Sequence, residues 1–470
     1  MASTPTMMTQ LAQDRLKTLR SSLQGEVYAP GDAGYDEARL AWNRSVTQHP
    51  ALIVRAMSAA DIVEAVRFAR AEGLPIAIQA TGHGVVTPAD NALLILTAGL
   101  NIVEIDAESQ TAWVGAGVKW GVVLAKAQEH GLAPLLGSSP DVGAVGYTLG
   151  GGMGWLVRKY GMAIDSVLRF EVVTADGRLI EASDKRNSDL FWALRGGGGG
   201  FGIVTGMEIR LYPVKTVYGG DMLYPIEVAK EVYTRYRDWI KDAPDDLTTA
   251  IVTMNFPPIP QVPDFLRGKS AVILRGCYVG PVEEGEALFQ SWLEWMPPIA
   301  SSFRAMPFTE VASISKDPQA PTAAAESGAW LRDLDDETID TILQYAISRE
   351  GSSPLVITEV RHVGGAVSRV AANANAFGHR DTPLVLNLIA MLPSADLQGA
   401  AEAYMAGFKQ ALGAHLAGSY MNFLGAYEAQ EQTVNAYSQD AYRRLTAVKA
   451  AYDPDNLFRF SFPIPPAREA

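Results

Sequence analysis

The chain has 470 residues, 48% hydrophobic and 19% charged, with a formal charge of −13. This length predicts two or three domains rather than one core, and the acidic balance argues against nucleic acid or an anionic membrane as partner, since both need clustered Lys and Arg. A single cysteine, Cys277, excludes an intrachain disulfide or thiolate metal site, and the spacing of the six histidines offers no zinc site, so no metal is expected.

The N-terminus, MASTPTMMTQLAQDRLKTLR, lacks the apolar core of a signal peptide, and no apolar run approaches the ~20 residues of a membrane helix. A soluble cytoplasmic protein is expected. Ser58-Ala59-Ala60-Asp61 has the form of a capping box, and Ile62, Val63, Val66 and Ala69 follow at helical spacing until Gly73. Leu74 to Ala80 predicts a short buried strand running into Thr81-Gly82-His83-Gly84. Leu93–Leu96 and Thr111–Val118 predict further strands, followed by a helix from Lys119 to His130. Phe170–Thr174 and Leu179–Ala182 flank Ala175-Asp176-Gly177, a hairpin turn, and Asn187 or Ser188 caps a helix carrying Leu190 to Leu194. Ile203–Leu211 predicts a strand ending at Pro213. Beyond it the texture changes: amphipathic segments (Glu227–Lys241, Glu283–Trp295) alternate with strands such as Ala271–Tyr278, and a domain boundary is placed near residue 214. Gln439–Tyr452 predicts a helix stopped by Asp453-Pro454. The tail PDNLFRFSFPIPP is too proline-rich for helix and too aromatic to hang free, so it is expected to pack on the body. Helices alternating with short strands predict an α+β or α/β fold.

Two glycine runs stand out. Gly137–Gly154 (GSSPDVGAVGYTLGGGMG) holds seven glycines in eighteen positions, and Arg195–Gly202 (RGGGGGFG) repeats the theme. Glycine weakens any element it interrupts, so such density implies backbone brought close to a ligand, and clustered N–H groups suit a diphosphate. Two cradles point to a large phosphorylated cofactor. The spacing is neither G-x-G-x-x-G nor a P-loop, and no G-x-S-x-G elbow occurs. His83, between two glycines at a strand end, is open to two readings: a structural hydrogen-bonding group or a ligand contact.

Strand, ATGHG, SPDVGAVGYTLGGGMGWLVRKYG and NSDLFWALRGGGGGFGIVT, in that order, resemble the vanillyl-alcohol-oxidase/PCMH superfamily of FAD oxidoreductases. The segments VRHVGGAVSRV and RLTAVKAAYDPDNLFRF resemble its berberine-bridge-enzyme-like branch. The resemblance covers nearly the whole chain. It implies an α+β fold with a two-subdomain PCMH-type FAD domain (1–214), a substrate domain with an antiparallel sheet flanked by helices (215–425), and a C-terminal segment returning to the FAD domain (426–470). His83 takes the place of the histidine that bonds to the flavin C8-methyl. Gln79, Ala80, Thr81, Gly82 and Gly84 would wrap the diphosphate, and Ser139, Val142, Gly143, Gly146, Tyr147, Gly150 and Gly151 would surround the flavin. Gly200, Gly202, Ile203 and Val204 would add backbone contacts.

This chain departs from the family pattern in three places. Ser139 stands where bicovalent members have cysteine, so a single histidyl link to FAD is the most the sequence permits. Phe460-Ser461-Phe462-Pro463 replaces asparagines that touch the flavin, and Tyr437-Ser438 replaces a tyrosine pair. The family's base is a tyrosine, glutamate or aspartate. Tyr437 is the first candidate here, followed by Tyr420, Asn422, Glu359, Arg361 and His362, although an unperturbed phenol titrates near ~10. Val142 would lie at the oxygen gate. The resemblance implies an FAD-dependent oxidase acting on an alcohol, amine or activated C–H of a small organic substrate, with O2 as acceptor. The alternatives are a flavin dehydrogenase or oxidative cyclase, and a non-catalytic flavin- or ligand-binding protein. Oligomeric state is left open.

Overall fold

The computed structural model describes residues 10–348 and 353–467; the first nine, which carry part of the leader reading, lie outside the described residues. Among the described residues no helix is long and apolar enough to cross a membrane.

Local signals in the sequence set many of the element boundaries. Ser58 caps the helix Ala59–Glu72 by accepting from the Asp61 N–H, and Gly73 ends it at φ 67°. The capping box is half made, because the Asp61 carboxylate turns instead to the N–H groups of Gln24, Gly25 and Met57. The strand after it is Ile76–Gln79, and the hairpin forms from Val167–Val173 and Leu179–Ser183. The helix Gln439–Tyr452 has the predicted ends, capped by Ser438.

The chain folds around three sheets, and the α+β expectation holds. A four-stranded sheet runs in the order Glu26–Tyr28, Leu52–Arg55, Leu93–Leu96, Ile76–Gln79, with the last three strands parallel. A five-stranded antiparallel sheet orders Val103–Asp106, Thr111–Gly115, Ile203–Arg210, Val167–Val173, Leu179–Ser183. The third sheet has nine antiparallel strands and begins at Thr216.

The third sheet separates its two faces by the strand period of two. In Leu384–Met391, Leu384, Leu386, Leu388 and Ala390 join the core under the helices Ala229–Trp239, Val282–Trp295, Asp336–Ala346 and Gln398–Leu412. The alternate residues Asn387, Ile389 and Met391 face a cavity on the other side. This face forms a roof over the glycine-rich half.

Two arginines fasten the halves. Arg158, just after the first glycine run and 5% exposed, donates to the carbonyls of Leu247, Val363 and Ala243 and to Nε2 of His362. In the opposite direction, Arg361 of the roof donates to the Met153 carbonyl at 3.2 Å. The tail is held in a similar way. Lys449 and Asp453, 1% and 0% exposed at their side chains, pair at 2.6 Å. Lys449 also holds the Gly200 carbonyl, and Asp453 accepts from the N–H groups of Leu457 and Phe458. The tail therefore packs as expected, with Phe458 and Ile464 buried.

Removing the Arg158 guanidinium strands buried carbonyls, each costing about 1–3 kcal/mol when unpaired. Arg158→Met is expected to lower unfolding free energy by roughly 3–5 kcal/mol, read from denaturant unfolding. A loss below about 1 kcal/mol would show that the two halves are held by other contacts.

Candidate active site

Between the three sheets lies a cavity of about 820 Å³, within the range of ligand sites that bury most of a large organic molecule. The loop after Ile76–Gln79 forms one wall. There the chain approaches its neighbour closely: Trp42 N–H donates to the Thr81 carbonyl and Asn43 N–H to the Gly82 carbonyl, at 3.0 and 3.1 Å. Gly82 sits at φ +80°, and a Cβ on it would lie 2.8 Å from Ala41 Cα, so only glycine fits.

This loop presents His83 to the cavity. Its ring stacks on Trp42, centroids 4.1 Å apart and planes 16° from parallel, and Nδ1 is 2.8 Å from Thr81 Oγ1. Nε2 is buried without a partner. Burial, with Lys119 adding to it and Asp141 opposing it, pushes the imidazole down to about 4, so at neutral pH the ring is uncharged. In the tautomer that directs Nδ1–H at the Thr81 hydroxyl, the unpartnered Nε2 carries the ring's free lone pair.

Of the expected cofactor residues, Gln79, Ala80, Thr81, Gly82, His83 and Gly84 line this space, as do Ser139, Val142, Gly143, Gly146, Tyr147, Gly150, Gly202, Ile203 and Val204. The Gln79 side chain is engaged elsewhere, donating to the Leu40 carbonyl and accepting from Gln48. Gly146 and Gly84 have nothing within 4 Å of a would-be Cβ. Two glycines fall outside the wall. Gly151 turns toward Phe377, which a Cβ would meet at 2.6 Å, and the Gly200 carbonyl is taken by Lys449. The tail contributes Phe458, Phe460, Ser461 and Phe462 to the wall.

The proton-transfer candidates separate sharply. Tyr437 does not reach the cavity. Its hydroxyl donates to the Gly196 carbonyl at 3.0 Å and touches Met421 Sδ, and burial holds the phenol far above its usual range. The structure therefore does not bring this first candidate base to the cavity, because packing against the second glycine run directs its hydroxyl to a backbone carbonyl. Tyr420 and Glu359 do line the cavity. Burial raises the Tyr420 phenol well above normal, and its oxygen accepts from Asn422 at 3.3 Å. Glu359 sits between Arg361 at 2.7 Å and Arg275 at 3.4 Å, with all three side chains almost fully buried. Burial alone would raise its carboxyl, but the two guanidiniums outweigh it and hold it below the usual range. A carboxylate so stabilised is a weak base and a strong organiser. His362 is committed to Arg158, away from the cavity wall.

Several wall residues went unpredicted: Trp42, Glu326, Asn387 and Arg275. Glu326 left one signal, as the lone acid in the apolar strand Ala324–Leu331.

The residues fit FAD on structural grounds. The wall offers bare backbone at the glycines and an unpartnered imidazole nitrogen, and among the described residues its cationic side chains, Arg275 and Arg361, are both engaged with Glu359. A diphosphate here would be held by N–H groups.

Comparison with known proteins agrees. The family model "FAD binding domain" matches residues 50–183, and the model "Berberine and berberine like" matches residues 419–465. The chain is 30% identical to (R)-6-hydroxynicotine oxidase of Paenarthrobacter nicotinovorans over 468 residues, covering 95% of this chain and 97% of that one. It is 28% identical to an uncharacterized FAD-linked oxidoreductase of Bacillus subtilis, covering 96% and 99%. A crystal structure of 6-hydroxy-D-nicotine oxidase from Arthrobacter nicotinovorans superposes with a TM-score of 0.83 at 25% identity, covering 95% and 99%.

Gly146→Leu adds a side chain directed into open cavity. It is expected to fold with unchanged unfolding midpoint and to purify without the yellow flavin absorbance; a variant that retained full flavin content would place the cofactor elsewhere.

Proposed function

The chain belongs to the berberine-bridge-enzyme-like family of FAD-linked oxidoreductases, and on that premise we propose that it is an oxidase whose FAD is bonded covalently through His83. In this reading it removes a hydride from an alcohol, amine or activated C–H of a small organic molecule and passes the electrons to O2, yielding hydrogen peroxide. When bound, FAD supplies the two-electron acceptor.

The observation that carries the reading is the state of His83. A nitrogen used to bond a cofactor must keep a free lone pair, be uncharged, and be held in one orientation. Nε2 is bare, the ring is neutral, and stacking on Trp42 with the Thr81 contact at Nδ1 holds its plane. Ser139, a hydroxyl in place of a thiol, supports one covalent link rather than two. The roof favours catalysis over mere binding. It places Glu359, Arg275 and Arg361 as an ordered polar cluster over the site, and a passive pocket has no need to bury three charges at such desolvation cost. Arg361 also bonds the Met153 carbonyl, so this cluster fixes the distance from roof to cradle. Val142 lies in the wall and leaves more room there than a bulkier leucine would, which supports access by oxygen.

Acid precipitation of the purified protein tests the covalent link. The pellet is expected to stay yellow, and His83→Ala to release its flavin into the supernatant; release from the unaltered protein would overturn the link. Mixing reduced enzyme with air tests the acceptor. Fast return of the flavin absorbance with peroxide is expected, whereas slow reoxidation would assign a dehydrogenase.

A further inference from the structure

The roof holds more acid than its arginines answer. Both guanidiniums on the cavity face, Arg275 and Arg361, are committed to Glu359. Glu326 stands two strands away from Glu359 on the same face and is half-buried. Asn387 lies between them. In register it faces Glu359 on one neighbouring strand and Gly328 on the other, so no side chain opposite screens it from Glu326. Its amide leans on the Glu326 carboxyl, while its own Oδ1, in a side chain 6% exposed, is buried with no donor. Asn387 Oδ1 thus sits without a donor beside a Glu326 carboxyl that receives that residue's own amide, both in the cavity wall. Asp317, from the loop before the strand, and Glu402, from Gln398–Leu412, add further acid to the same wall.

The surroundings also set the basicity of Glu326. Burial pushes its carboxyl up to about 7, with Asp317 and Glu359 adding to the effect and the Asn387 amide and Arg361 opposing it. A carboxyl in this range accepts a proton at neutral pH far more readily than the arginine-clamped Glu359.

We propose that Glu326 and Asn387 receive a small basic amine, whose ammonium N–H groups meet the Glu326 carboxylate and Asn387 Oδ1, and that Glu326 takes the ammonium proton. In that transfer an N–H bond breaks, an O–H bond forms on the carboxylate, and the electron pair stays on nitrogen as the lone pair that oxidation of the adjacent carbon requires. The proposal rests on the oxidase reading for that later oxidation, and on the wall chemistry alone for binding. A carboxylate substrate would meet Asp317, Glu326 and Glu402 with unfavourable charge. Its one foothold is the unpartnered Nε of Arg275 and of Arg361, so an anion serves as the opposing probe.

Benzylamine, benzyl alcohol and benzoate, titrated into the purified holoenzyme by calorimetry and followed by flavin absorbance, separate the cases. Benzylamine is expected to bind more tightly than the other two. Its affinity should fall about tenfold per pH unit below the Glu326 transition near pH 7. Glu326→Gln should lose this pH step while keeping its flavin content and its affinity for benzyl alcohol, and Glu326→Asp should retain the step. Tighter binding of benzoate, or an unchanged pH step in Glu326→Gln, would overturn the proposal. Protein purified without flavin would sink the oxidase reading instead, and calorimetry with the same probes would still decide the amine site.

Discussion

Two guanidiniums crossing in opposite directions keep the cavity open. Arg158 reaches from the end of the glycine-rich segment into the carbonyls at the roof's edge, and Arg361 reaches from the roof to the Met153 carbonyl in that segment. Hydrophobic packing between the halves would by itself favour collapse of the space between them, because it is non-directional. A guanidinium has a fixed fork of donors and a fixed length, so it sets a separation as well as an attraction. The Lys449–Asp453 pair does the same at the floor, joining the second glycine run to the tail. The site is therefore held apart by polar contacts at its margins and lined in its interior by bare backbone.

That arrangement explains how charge is distributed. The cradle holds His83 neutral and offers N–H groups, which suits an anionic cofactor without a competing countercharge. The roof concentrates ionised groups but cancels most of them internally around Glu359. What remains uncancelled is Glu326 with Asn387 beside it, the place proposed for an amine substrate. The two walls thus differ in electrostatic character, the cradle offering backbone and the roof offering charged side chains.

Much of this was legible in the chain, and the reasons differ by residue. The helix Gln439–Tyr452 could be bounded because Ser438 and Asp453-Pro454 are local signals. The glycine runs announced a cradle because backbone approach leaves no substitute for glycine, as Gly198 of the second run demonstrates in the cavity wall at φ +79°. Gly151 and Gly200 carry the same letter for other reasons, close packing on Phe377 and a carbonyl given to Lys449, and sequence does not separate those uses. Tyr437 misled because the direction of a phenol is set by tertiary packing; here the Gly196 carbonyl claims it. Glu326 and Asn387 lie far apart in sequence and share a face only through the pairing of their strands. Trp42 reaches His83 across 41 positions by a loop contact that no periodicity encodes.

An electron-density map of the purified protein tests the central claim most directly. The account predicts density for one FAD filling the cavity between the glycine runs and the roof, continuous with His83 Nε2 and separate from Ser139. An empty cavity, or a flavin held outside it with His83 unattached, would contradict it.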